Sequence, residues 1–223
     1  LESGTVVKAP PALQIRRDGQ LYGYALSTSA VIGSLGYSGR PLDVLLVLTL
    51  DGRIAEARLA RHEEPILVIG IADGSLPHET FRLYFMQNVL YLEDYARAIA
   101  LIIGTAPDRD AVTTLTKFLA QIVEHEIPAN LAFLERLGGD ADTIAGRGTM
   151  LAVTYGYTRH LLSVCALGDC AEGLTAVLPC QWSYGALARP LMAQPPDDPI
   201  YADWIGMFGN DDYDGLVART TAL

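Results

Sequence analysis

The chain has 223 residues, half of them hydrophobic and 19% charged, which supports a packed core and excludes a disordered chain. A net charge of -10 with no Lys/Arg cluster excludes a nucleic-acid binder, which needs a basic face. Three cysteines (Cys165, Cys170, Cys180) and four scattered histidines give neither a disulfide framework nor zinc-ligand spacing. The N-terminus does not read as a signal peptide, and no apolar run reaches the ~20 residues of a membrane span. The expectation is a soluble, cytoplasmic protein with free thiols and no bound metal.

Residues 1–12 read as an N-terminal extension, and residues 13–70 as a β unit. Residues 13–19 form a short strand closed by Asp18-Gly19, and LYGYALSTS a second strand. The run from Pro41 to Ile71 holds two strand-like stretches around Asp51-Gly52, a strong hairpin signal. Near Gly70 the texture becomes helical, giving a domain over 71–223. Ser75 is the expected N-cap of a long central helix with apolar residues at Phe81, Tyr84, Phe85, Val89, Leu92 and Ala96. A helix from Pro107-Asp108 to Gly138-Gly139 follows, kinked or split at Pro128. GDADTIAGRG is a loop. One helix then ends at Gly168-Asp169 and another at Pro195-Pro196, and a short acidic helix opens at Asp198. Helices after strands, without alternation, mean α+β: a mainly α-helical bundle preceded by a small antiparallel sheet.

Chemistry concentrates in the helical part. Asn88 and Tyr91 share a helix face, as do Cys180 and Tyr184, while Trp182 points elsewhere and packs. A pocket with tyrosines, an amide and a thiol suits a flat, nitrogen-rich aromatic ring. The thiol can add to an electron-poor ring carbon. Pro179 bends the helix before it. The plainer reading is that Cys180 is an apolar filler and the tyrosines are core residues. Cys165 and Cys170 read as fillers, and His125 and Glu126 as a solvated face.

Residues 70–217 resemble the TenA/thiaminase II family, which shares the heme-oxygenase-like helical fold with the PqqC proteins. The segments that carry the likeness are GIADGSLPHETFRLYFMQNVLYLEDYARAIAL, TYGYTRHLL, AEGLTAVLPCQWSYG and DPIYADWIGMFGNDDY. The resemblance implies that Cys180 is the nucleophile and that Tyr91, Tyr157 and Tyr184 line a pyrimidine site. The thiolate would attack the ring of an aminopyrimidine or of thiamin, and hydroxymethylpyrimidine would be released in thiamin salvage without metal or organic cofactor. Asn88 stands where the family has an aspartate, and Phe208 where it has a second pocket tyrosine. The family's general-acid glutamate, on a C-terminal helix, lies past Leu223, and its first helix is also unmatched, so a truncated bundle of low activity is expected. Family members assemble through helix faces, so a homo-oligomer is expected.

The segment QIRRDG through HEEPILVIGI, with GYSG at 36–39, resembles the N-terminal FMN-binding domain of the NosR/NirI regulators. Nothing in residues 71–223 matches that family's flavin-attachment motif. No cofactor is therefore expected, with FMN as the alternative. The two resemblances meet at Ile69–Gly74, as in a fusion of two partial domains. Three functions stand open: a pyrimidine hydrolase, a noncatalytic pyrimidine-binding or inert scaffold, and a flavin-linked regulatory or electron-transfer domain.

Overall fold

The computed structural model describes residues 12–33, 43–61, 65–139 and 150–223. The GYSG motif, the loop at 140–149 and all but the last residue of the N-terminal extension lie outside them.

Four strands, β1 (Ala12–Arg17), β2 (Gln20–Ser27), β3 (Asp43–Thr49) and β4 (Ile54–Arg61), form one antiparallel sheet in sequential order. The β1–β2 turn is Asp18-Gly19, and both residues have positive φ (51° and 79°). That is the type I′ geometry whose twist matches the flanking strands. At Gly23 a Cβ would sit 2.0 Å from the Leu48 carbonyl oxygen, so only glycine permits this close β2–β3 pairing. One face of the sheet is buried through Val44 and Leu46, while Leu45 and Leu13 on the other are exposed, the usual asymmetry of antiparallel sheets.

A short helix, α1 (Thr28–Ile32), follows β2. The first long-bundle element is preceded by α2 (Pro65–Ala72), formed by PILVIGIA. A strand-like run was expected there; the structure makes it a helix, with Ile71 fully buried and the Leu76 N–H donating to the Gly70 carbonyl. The central helix α3 runs His78–Gly104. Its N-cap is Pro77, without a side-chain bond, and not Ser75, whose own N–H instead donates to the Asp73 carboxylate at 2.9 Å.

Helix α4 (Arg109–Gln121) starts under an Asp108 cap. Pro128 does not break the run. A π-helical turn at Ile122–Glu126 passes into α5 (Ile127–Arg136), with the Ile127 N–H donating five residues back to Ile122. Then come α6 (Ala152–Leu167) and α7 (Cys170–Leu191), the latter opened by an Asp169/Glu172 capping box. Where one last helix was expected there are two, α8 (Pro199–Phe208) and α9 (Asp211–Thr221), capped by Asp198 and Asn210.

The helical core has two parts. Tyr91, Ile99, Leu115, Leu161 and Val177 anchor one, and Phe81, Phe85, Leu134, Trp204 and Ile205 the other. The sheet joins the bundle through α7: Val44 and Leu46 pack with Leu178, and Trp182 lies against them. Among the described residues no helix is long and apolar enough to cross a membrane.

Candidate active site

Cys180 lies near the middle of α7, just after Pro179, and Pro179 leaves α7 continuous from Cys170 to Leu191. Leu178 and Trp182 face the sheet. Cys180 and Tyr184, four residues apart, turn the other way and line a cavity between α3, the π turn, α7, α8 and α9. Asn88, Tyr91 and Tyr95 reach it from α3 at helical spacing. Glu126 reaches it from the π turn, Phe208 from α8 and Tyr213 from α9. The whole void, mouth included, is about 370 Å³, and only a small part of it admits the centre of a water molecule.

Of the residues singled out from sequence, Asn88, Tyr91, Cys180, Tyr184 and Phe208 therefore line one cavity. Tyr157 is not among the lining residues. It stands behind Tyr91, with ring planes 4° apart and centroids at 5.4 Å. Its role is to hold Tyr91, which also stacks on Tyr95 at 5.3 Å.

Two phenols grip the helix on either side of the thiol. Tyr95 Oη donates to the Val177 carbonyl at 3.3 Å, and Tyr213 Oη donates to the Gln181 carbonyl at 2.8 Å. Tyr184 Oη is 2.9 Å from Tyr84 Oη, and its ring lies 4.7 Å from that of Phe208. Asn88 Nδ2 donates to Asn130 Oδ1 at 2.8 Å, and Asn130 Nδ2 donates to the Glu126 carbonyl at 2.8 Å. A buried amide chain thus links α3, α5 and the π turn.

No Lys, Arg or His lines the cavity among the described residues. Burial pushes the phenols of Tyr84, Tyr91, Tyr95 and Tyr213 above their ordinary range, and the charge of Cys180 adds to the push on each. Tyr91 also feels Cys180 as a hydrogen-bond partner. These phenols stay protonated at neutral pH; Tyr95 and Tyr213 donate their protons to the helix carbonyls, and Tyr91 is the one that faces the sulfur as a donor. Burial alone pushes the Glu126 carboxyl up to about 7.

Glu126 was expected on a solvated face, and the structure corrects this. The π turn inserts one extra residue and rotates the following side chain by about 100°, toward the cavity. Glu126, Tyr95, Gln181 and Tyr213 are the polar lining residues that sequence reasoning missed; the one signal for Glu126 was Pro128, which disturbs the ladder there. The other cysteines are buried and free. Burial raises the Cys165 thiol to about 11 and, with Asp169 and Asp108 nearby, raises that of Cys170. Both are inert thiols. Among the described residues no three His, Cys, Asp or Glu side chains cluster as metal ligands.

Comparison with known proteins adds to this geometry. Residues 55–223 match the TENA/THI-4/PQQC family. The chain is 34% identical over 151 residues to an aminopyrimidine aminohydrolase of Halalkalibacterium halodurans, covering 67% of each chain. A solved structure, a TenA homologue from P. horikoshii OT3, superposes with a TM-score of 0.65 at 28% identity, covering 71% of this chain and 74% of that one. A 66-residue stretch is 44% identical to protein NirI of Paracoccus denitrificans, covering 30% of this chain and 10% of NirI.

Proposed function

Because the chain belongs to the TENA/THI-4/PQQC family, we propose that it is an aminopyrimidine aminohydrolase that uses Cys180 as its nucleophile and releases hydroxymethylpyrimidine for thiamin salvage. The observation that carries this reading is the Cys180 thiol in an aromatic cavity, with the neutral Tyr91 phenol as its donor and no cation lining it among the described residues. The likeness to the aminopyrimidine aminohydrolase of H. halodurans supports the substrate class.

In the reaction, the rings of Tyr91, Tyr184 and Phe208 enclose the pyrimidine, and the Asn88 amide hydrogen-bonds its polar edge. The Cys180 sulfur bonds to an electron-poor ring carbon, and the amine on the exocyclic methylene departs. Water adds to that methylene. The C–S bond then breaks and aromaticity returns. Tyr91 donates toward the sulfur and stabilises its anionic form. No metal or organic cofactor enters any step. A cytoplasmic setting fits the three free thiols. The exposed Leu13 on strand β1, at the edge of the sheet, fits a homo-oligomer, which light scattering would reveal.

The test is to incubate the protein with aminomethylpyrimidine, and separately with thiamin, and to quantify hydroxymethylpyrimidine. Activity in the wild type that is absent from Cys180→Ser supports the reading; equal product from both removes it. The likeness to NirI favours a second reading, in which the sheet is a flavin-binding unit joined to the helical domain. Protein that stays colourless after incubation with excess FMN and gel filtration would remove that one.

A further inference from the structure

One group in the cavity has no part in the reaction as drawn so far. The Glu126 carboxyl has no ion pair and no side-chain hydrogen-bond partner among the described residues. Its place is built rather than incidental. The π turn carries it inward, and the Asn88–Asn130 pair pins its backbone carbonyl from two neighbouring helices. It shares the cavity with the Cys180 sulfur, and the phenols of Tyr84, Tyr95 and Tyr213 feel the charge of both groups.

We propose that Glu126 is the acid–base residue of the Cys180 reaction, carrying the thiol proton to the leaving amine. The proposal rests on the Cys180 reading above. In the first step the Glu126 carboxylate accepts the proton of the Cys180 S–H, the sulfur lone pair forms the bond to the ring carbon, and the π pair displaced from that carbon is held by the ring. In the second, that pair forms an exocyclic C=C bond to the methylene while the methylene C–N bond breaks; the nitrogen keeps the bonding pair, takes the proton of Glu126, and leaves as ammonia. In the third, water adds its oxygen to the methylene carbon and its proton to Glu126, and the exocyclic π pair returns to the ring. In the last, that pair restores the aromatic ring as the C–S bond breaks with its pair on sulfur, and Glu126 returns the proton to the thiolate. The sum is aminomethylpyrimidine plus water giving hydroxymethylpyrimidine plus ammonia, with the enzyme unchanged.

A shuttle of this kind works best when its proton affinity is matched to the working pH. Burial sets the Glu126 carboxyl at about 7, so both of its forms are populated at neutral pH. The titratable groups that line the cavity with it or feel its charge are Tyr84, Tyr91 and Tyr95 from α3, Cys180 and Tyr184 from α7 and Tyr213 from α9. Of the phenols, those of Tyr91, Tyr95 and Tyr213 are pushed up by burial and do not ionise near neutrality. Its neighbours on the π turn, Glu124 and His125, are exposed.

The experiment compares wild type, Glu126→Gln, Glu126→Asp and Cys180→Ser on aminomethylpyrimidine across pH 5–9. Glu126→Gln should lose roughly 10²–10⁴-fold in kcat with little change in KM, and the bend of the wild-type profile near pH 7 should vanish. Glu126→Asp, which keeps an acid, should recover part of the rate. If Glu126→Gln stays within about threefold of wild type while Cys180→Ser is inactive, the shuttle is wrong and the nucleophile stands. If Cys180→Ser matches wild type, both fall. A readout independent of turnover is the rate of Cys180 alkylation by iodoacetamide, followed by peptide mass spectrometry. The wild type should show two inflections, one of them near 7, and Glu126→Gln only one. Superimposable profiles overturn the proposal. Should Glu126→Gln fail to fold, Glu126→Asp carries the test: its lower inflection must move, and an unmoved one overturns the proposal.

Discussion

Replacing Glu126 by Gln should stabilise the protein at alkaline pH, and the size of the gain follows from the carboxyl's displacement. Burial carries it from the usual 4.5 to about 7, between two and three factors of ten in proton affinity. At about 1.4 kcal/mol per factor, the ceiling is about 3 kcal/mol. Glu126 keeps some contact with solvent, which lowers the expected figure to roughly 2 kcal/mol. The sign is set by linkage. Below pH 4.5 the group is protonated in both the folded and the unfolded chain and contributes no difference. Between 4.5 and 7 the unfolded chain releases the proton while the folded one holds it, so wild-type stability falls as pH rises. Above 7 the whole penalty is in place. Gln has nearly the same shape and no charge, so the variant lacks this slope. Urea denaturation of both proteins at pH 4, 5, 6, 7 and 8 measures it, because the other titrating groups cancel in the difference. The gap should open with pH in favour of Glu126→Gln and level off above about 7. A gap that is constant with pH would show that the carboxyl is not desolvated, and the argument from burial would fail.

Two further substitutions test the scaffold. Trp182→Ala removes the largest side chain that α7 lays against the sheet, beside the buried Leu178. It should cost on the order of 2 kcal/mol, less than a fully buried tryptophan, and speed amide exchange in β3 and β4 more than in α3; uniform protection loss would refute the sheet–α7 contact as the local anchor. Asn88→Asp leaves an acid facing Asn130 Oδ1. Protonated it can still donate, so stability near pH 4 should hardly change, whereas at pH 8 the unfolded chain has released a proton that the folded pair with Glu126 retains, at a cost on the order of 1–3 kcal/mol or more, and equal melting shifts at both values would refute this.

The fold was legible where a single period or a single turn decided it. Asp18-Gly19 and Asp51-Gly52 announced their turns, and the spacing of Phe81, Tyr84, Phe85 and Leu92 announced the central helix. The stretch PILVIGIA was not legible, because a short run that is apolar throughout carries neither period. Packing decided it, with Ile71 buried against the start of α3. The same contrast holds at the site. Asn88 with Tyr91, and Cys180 with Tyr184, follow from helical spacing, as does the opposite facing of Trp182. Tyr157 shows the limit of that reasoning: a ring can belong to the site by stacking behind a lining residue, and spacing cannot distinguish the two layers. Glu126 was lost because a regular helix was assumed across a segment where one extra residue turns the face.

That lost residue bears on Asn88. A second ionised carboxyl at position 88 would share a cavity that no Lys, Arg or His lines among the described residues, and the Tyr91, Tyr95 and Tyr213 phenols do not ionise near neutral pH. Two carboxylates in one desolvated space raise each other, so one of them would hold its proton well beyond neutrality. With an amide at 88, Glu126 has the cavity's only carboxyl among the described residues, and burial alone sets it near 7. The amide also does what a carboxylate cannot: it donates to Asn130, whose own amide then donates to the Glu126 carbonyl. Asn88 is thus read as the partner of Glu126 rather than as a lost acid.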